Sequence, residues 1–153
     1  MISLRFTQAY AANPLCSPTR ASVLTGLYPA RIGITSPAGH LLDEFLTGKL
    51  PQRTHPDRRA IEARSATRLN TTYVTLAEML RDVGYTTGHF GKWHLGREPY
   101  SPLQQGFDVD IPHWPGPGPG ATYIAPWKPP TINLPAKPGD HIEDLMAVEA
   151  IKF

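Results

Sequence analysis

Only one cysteine, Cys16, occurs in the 153 residues. A lone thiol cannot close an internal disulfide, so no disulfide framework holds this chain together. An excess of one charge is also missing. Fifteen basic residues against 13 acidic ones leave a net charge of +2, with no sign of a nucleic-acid tail or a membrane-surface patch. No apolar stretch approaches the roughly 18 residues of a membrane span. The opening residues, Met1 to Thr7, lack the basic region and long apolar run of a secretory signal. Proline and glycine are what the chain has in plenty. Their 17 and 13 residues make about a fifth of it, against roughly 12% in average proteins. That excess argues against a helical bundle and for many turns. The expectation is a globular piece able to bury roughly 70% of its unfolded surface.

The turn-forming residues are unevenly spread. Between Pro99 and Gly139 there are 11 Pro and 5 Gly in 41 residues, including the run Pro115 to Gly120. Each Pro removes a donor and fixes its own φ, so no regular element runs through the block. Phe107, Trp114, Tyr123 and Trp127 lie in it, too many aromatics for a disordered linker. The block, at about 99–139, reads as a long ordered surface loop with one or two short strands, and loops of that length tend to carry function.

Three helices have local reasons. The first follows Cys16, with Ser17 as N-cap, Pro18 at the first helical position and Gly26 closing it left-handed. Its residues Ala21, Val23, Leu24 and Leu27 allow one buried face. The second spans about Leu76 to Val83, with a Thr75–Glu78 capping box, an apolar stripe of Leu76, Met79, Leu80 and Val83, and Gly84 at its end. Tyr85 to Phe90 then reads as a strand, giving the αβ half of a layered α/β fold. The third is C-terminal, capped by Asp140 with Glu143 at N3, and it stops at Phe153 with no C-cap, as if cut. Asp57 to Arg68 reads as a charged exposed helix whose Arg58, Arg59, Arg64 and Arg68 form a solvated face.

Two clusters could carry chemistry. Cys16-Ser17-Pro18-Thr19-Arg20 sits at a helix start, where unpaired N–H groups and about half a positive charge favour anions. Arg20, one turn on, adds a fixed positive charge beside the one nucleophilic thiol. The alternative is that Cys16 is a small buried apolar residue and Arg20 an ordinary surface one. Gly91-Lys92-Trp93-His94-Leu95-Gly96 follows a strand, where ligands of α/β sheets sit. Lys92 supplies a point charge and His94 a titratable donor. Alternatively, Lys92 is solvated and His94 bonds a carbonyl. Among the other histidines, His40, His55 and His141 read as exposed and His89 as lying along the strand.

Together the clusters are more specific. The stretch from Cys16 to Arg31 resembles the first motif of the sulfatase family, C-x-P-x-R followed by Thr-Gly. Gly84 to Gly96 resembles the second, G-Y-x-T and then G-K-x-H-L-G. Arg5 to Ala12 resembles the strand leading to the first motif. Gly106-Phe107-Asp108 resembles the family's G-F-D, and Glu149 to Phe153 a later helix. The resemblance implies a partial alkaline-phosphatase-like α/β fold, a mostly parallel sheet flanked by helices, truncated at both ends. Residues 1–153 would form a single partial catalytic domain.

The resemblance also implies roles. Cys16 would become formylglycine, whose hydrate attacks sulfur with one oxygen and keeps a second hydroxyl for releasing sulfate. Pro18 and Arg20 look like recognition residues for the formylglycine-generating or sulfatase-maturing enzyme. Arg20 would also hold the hydrate, Lys92 would bind a sulfate oxygen, and His94 would assist proton movement. Calcium, a hard oxygen-seeking cation, would join sulfate to the modified Cys16. The family's further metal ligands have no counterpart in this chain, so the metal site is expected to be incomplete and the chain inactive alone. Asp108 and Asp110 match no family ligand. His113 lies where family members shape specificity and is a candidate substrate contact. The implied substrate is a sulfated carbohydrate or aryl sulfate. A truncated pseudoenzyme binding sulfated glycans, or a related phosphatase or phosphonate hydrolase, would share these features.

Overall fold

The computed structural model describes residues 4–53, 56–118, 122–128 and 132–153. His55 and, within the Pro/Gly run, Pro119 and Gly120 lie outside the described residues, as do Met1, Ile2 and Ser3. In chain order come α1 (Cys16–Thr25), α2 (Pro29–Ile32), α3 (Leu76–Asp82), β1 (Gly88–Phe90), a 3₁₀ turn (Pro102–Gln105), β2 (Val109–Ile111) and α4 (Ile142–Lys152). Strands β1 and β2 pair in parallel, with His89 opposite Asp110 and Phe90 opposite Ile111. This is α/β, with long irregular segments between few regular elements.

Two small cores hold it. One gathers Ala21 of α1, Ile32 of α2, Ile34, Leu69, Trp93 and Leu95. The other joins Leu134 to Ile142 and Met146 of α4. Each fully buried side chain of this size stabilises by roughly 1.5–3 kcal/mol. The first core matters most for function. It presses α1 against residues 93–95, which are more than 70 positions away in sequence, and so sets the distance between the two motif segments.

Helix α3 forms as expected at its start. Thr75 Oγ1 accepts from Glu78 N at 3.2 Å, and Glu78 Oε2 accepts from Thr75 N at 2.7 Å. The buried face differs from the expected stripe. Leu76, Met79, Leu80 and Val83 are 36–72% exposed, and Ala77 is the buried residue. The Thr75 hydroxyl, which also donates to Gln105 O at 2.6 Å, ties α3 to the 3₁₀ turn and turns the small Ala77 inward.

Other boundaries moved. Residues 5–12 form no strand; they are exposed, and no neighbouring strand pairs with them among the described residues. The strand read from Tyr85 narrows to three residues. Thr87 is diverted to Asp108 instead, its N–H and hydroxyl both donating to Oδ2, at 2.8 and 3.0 Å. Helix α4 is capped by His141, whose Nδ1 accepts from Glu143 N at 3.3 Å. Asp140 is occupied one turn earlier, accepting from Lys137 N.

The segment 57–68 is not a helix. Lys49 and Arg64 form an antiparallel bridge, Arg64 stacks 3.3 Å over the Phe45 ring, and Arg58 pairs with Glu62 at 2.6 Å. Arg68 is no part of a solvated face. It is 2% exposed and its guanidinium donates to the carbonyls of Leu41 (2.6 Å), Thr67 (2.8 Å) and Gly39 (3.3 Å). A fixed five-donor fork suits such a row of carbonyls better than any other side chain.

Candidate active site

The site begins at the N-terminus of α1. The cap position is Leu15, one step before Cys16, and it carries no side-chain cap. Asn13 Oδ1 accepts from Leu15 N at 2.9 Å, turning the chain into the helix. Cys16 is therefore the first helical residue, and Pro18, buried, is the third, still within the turn whose N–H groups have no intrahelical acceptor. Ser17 is not the cap; its hydroxyl is buried and donates to His94 O at 2.7 Å. Gly26 closes α1 at φ 69°, as its permissive backbone suggests.

Arg20 and Ser17 reach across from α1 to the second motif. Arg20 Nε donates to Trp93 O at 2.7 Å, and its Nη2 donates to Lys92 O. Burial pushes the Arg20 guanidinium below its usual value, and charge on Cys16 partly offsets this. The guanidinium therefore docks the 92–94 backbone on α1, at the side chain's own end of the helix.

That docking delivers His94 to Cys16. His94 is 1% exposed, its backbone is left-handed at φ 58°, and its Nδ1 lies 3.3 Å from Cys16 Sγ. Non-glycine residues seldom adopt such a φ unless surroundings enforce it, and here Ser17 holds the carbonyl. Desolvation lowers the His94 pKa to about 4, with further contributions from the charges of Lys92, His40 and Arg20. At neutral pH the ring is uncharged and has one proton to place.

The second ring nitrogen has a partner too. His94 Nε2 lies 2.8 Å from Nδ1 of His40, and the rings stack tilted by 33° with centroids 5.1 Å apart. His40 is exposed at its outer side, as its sequence reading held, yet its Nδ1 belongs to the site. Only the Gly39–His40 pair hinted at this, because a glycine permits the close backbone approach that brings His40 to His94.

Lys92 is half-buried and lines a cavity of about 200 Å³ with Gly91, Trp114, Tyr123 and Met146. His113 belongs to a neighbouring cluster. Its Nδ1 lies 2.8 Å from Asp110 Oδ2 and its Nε2 3.8 Å from Glu98 Oε1. Asp110, buried on β2, takes His89 Nδ1 on its other oxygen at 2.7 Å. His89 Nε2 in turn lies 3.2 Å from Lys92 O. His113, at φ 59°, shares with Trp93, Trp114 and Glu98 a cavity of about 220 Å³. Among the described residues, no group of three or more His, Cys, Asp or Glu side chains stands together as a cation site. No helix among them is long and apolar enough to cross a membrane.

The parallel α/β scaffold sets a helix-start thiol against a buried neutral histidine, with Lys92 and Arg20 beside them. Comparison with known proteins gives the particular family. The Sulfatase family model matches residues 3–147, and the chain belongs to the sulfatase family. It is 37% identical over 108 residues to N-acetylgalactosamine-6-sulfatase of Sus scrofa, covering 67% of this chain and 17% of that protein. It is 42% identical over 106 residues to arylsulfatase G of Canis lupus familiaris, covering 69% and 16% respectively. The crystal structure of Ps i-CgsB superposes with a TM-score of 0.58 at 25% identity, covering 94% of this chain and 31% of that one. The fold is thus alkaline-phosphatase-like α/β, and the chain spans about a sixth of the length of the curated relatives it matches.

Proposed function

We propose that this chain carries the nucleophile side of a sulfuric ester hydrolase, with Cys16 as the precursor of the nucleophile. The observation that carries the reading is the 3.3 Å contact between Cys16 Sγ and His94 Nδ1, made by residues 78 positions apart, each inside a family motif. Formylglycine at position 16 would supply a hydrated aldehyde as nucleophile toward sulfur. Its formation needs a formylglycine-generating or sulfatase-maturing enzyme, which would read Cys16, Pro18 and Arg20.

The chain's own residues then have distinct tasks. His94, neutral and shielded from water, takes or returns a proton at the side chain of residue 16. Arg20 holds the loop that carries His94, using carbonyls of Lys92 and Trp93. The Lys92 ammonium lowers the negative charge that gathers on sulfate oxygens as the ester bond breaks. His113, held by Asp110 on the rim of the Trp93–Trp114 cavity, contacts the remainder of the substrate. A calcium ion would add charge neutralisation, but the described residues do not gather the several oxygen ligands it needs. The substrate class is a sulfated carbohydrate or aryl sulfate. Aromatic walls beside a titratable donor suit a sugar ring, and N-acetylgalactosamine-6-sulfatases are among the relatives.

Co-expression with a formylglycine-generating enzyme tests this. Mass analysis of the peptide carrying Cys16 should show the thiol replaced by an aldehyde oxygen, and an aldehyde-reactive probe should label that peptide. Labelling should vanish in Cys16→Ser. A peptide that remains a thiol throughout would overturn the reading.

A further inference from the structure

We propose that His40 is a positioning residue for His94: by accepting the His94 Nε2 proton at its own Nδ1, it keeps the His94 Nδ1 lone pair aimed at the side chain of residue 16. This deepens the reading of Cys16 and His94 as a reacting pair and rests on it.

The geometry decides the direction of the bond. Across the 2.8 Å between His94 Nε2 and His40 Nδ1, one nitrogen must donate and the other accept. His94 is buried with both ring nitrogens engaged, Nδ1 by Cys16 Sγ and Nε2 by His40. Neighbours therefore set its tautomer. If His94 carries its proton on Nε2, the N–H meets a strong nitrogen acceptor, and the Cys16 S–H finds a lone pair at Nδ1. In the reverse arrangement the His94 Nδ1–H would be spent on sulfur, a weak acceptor, and the S–H donor would be left unused. His40 can accept because its outer side is exposed, where water satisfies an Nε2–H.

The loop is built to present this ring. Buried Arg68 donates to the carbonyls of Gly39 and Leu41, on either side of His40. Gly39 lies flat against His94, so close that an added Cβ would stand 2.5 Å from the His94 carbonyl carbon and 2.9 Å from Leu95 N. Ser17 fixes the same His94 carbonyl from α1. His40 is exposed and fills no core; besides its tilted stack on the His94 ring, what it offers is its Nδ1.

Long-range ¹H–¹⁵N spectra of the full chain labelled in histidine nitrogen, near neutral pH, test the proposal. In the wild-type chain, His94 should show a protonated Nε2 and a lone-pair-type Nδ1. His40→Ala should shift His94 to a mixture of tautomers. His40→Asn, which places an oxygen acceptor near the former Nδ1, should restore the wild-type signature. His40→Lys, which can only donate, should move the proton to Nδ1. A wild-type His94 protonated on Nδ1 overturns the proposal without any variant. So does a well-dispersed spectrum of His40→Ala or His40→Lys with the His94 tautomer unchanged. Conversion of Cys16 is read separately by mass. A chain that is never converted can therefore still meet this test, and a converted one can fail it.

Discussion

Replacing Gly39 by alanine puts one methyl group where no side chain can yield. The new Cβ would lie 2.5 Å from the His94 carbonyl carbon and 2.9 Å from Leu95 N, whereas carbon atoms pack best at about 3.5–4.0 Å. The methyl is thus about 1 Å too close to the His94 carbonyl carbon and nearer still to the His94 carbonyl oxygen, and every atom it meets is backbone. The segment carrying His94 is pinned by Ser17 and Arg20, so the 39–42 loop must retreat. Its retreat stretches the Arg68 bonds to Gly39 and Leu41. Overpacking of this kind costs typically 1–3 kcal/mol, and weakening a charge-assisted bond adds roughly 1 kcal/mol or more. We expect a total of about 3 kcal/mol, a melting temperature lower by about 6–12 °C for a chain of this size. Circular dichroism melts of Gly39→Ala and wild type give the first number, and the His94 nitrogen shifts report whether His40 has drawn away. An unchanged melting temperature with an unchanged His94 signature would refute the close approach on which this reasoning stands.

Two further outcomes follow from the same geometry. Thr75→Ala removes a helix cap together with a buried bond to Gln105 O; it should cost about 2 kcal/mol, and a denaturant midpoint equal to wild type would contradict it. His94 stays neutral in the fold down to a pH of about 4, against an ordinary value of 6.5. A depressed histidine leaves the unfolded chain binding more protons between those values. Stability is therefore fully present above about 6.5 and falls toward pH 4 by about 3 kcal/mol. His94→Gln should flatten that slope in urea titrations.

Local rules carried the sequence reading where the deciding contacts were local. The Thr75–Glu78 box and the Gly26 terminus depend on residues within one turn, and both formed as expected. Failures came where a distant partner outbid the local choice. Ser17 has the chemistry of a cap, yet the His94 carbonyl claims its hydroxyl, and the cap position moves to Leu15. Arg68 reads as one arginine among several in a charged stretch, and no local pattern records that the distant carbonyls of Gly39, Leu41 and Leu42 converge on it. His40 stayed hidden for a related reason. Its contact with His94 exists only once Arg68 and Gly39 have folded the intervening loop. The proximity of Cys16 to His94 was legible through family resemblance, not through spacing, since 78 residues separate them.

Arg20 grips the segment after β1 by the carbonyls of Lys92 and Trp93, and a carbonyl is the same whatever side chain its residue bears. The clamp is therefore indifferent to what stands at those two positions. The half-buried Lys92 side chain can be exchanged while His94 keeps its place against residue 16, whereas Trp93, buried in the core against α1, cannot. A chain so arranged can retune what it admits beside the nucleophile without rebuilding the hinge on which the nucleophile's partner hangs.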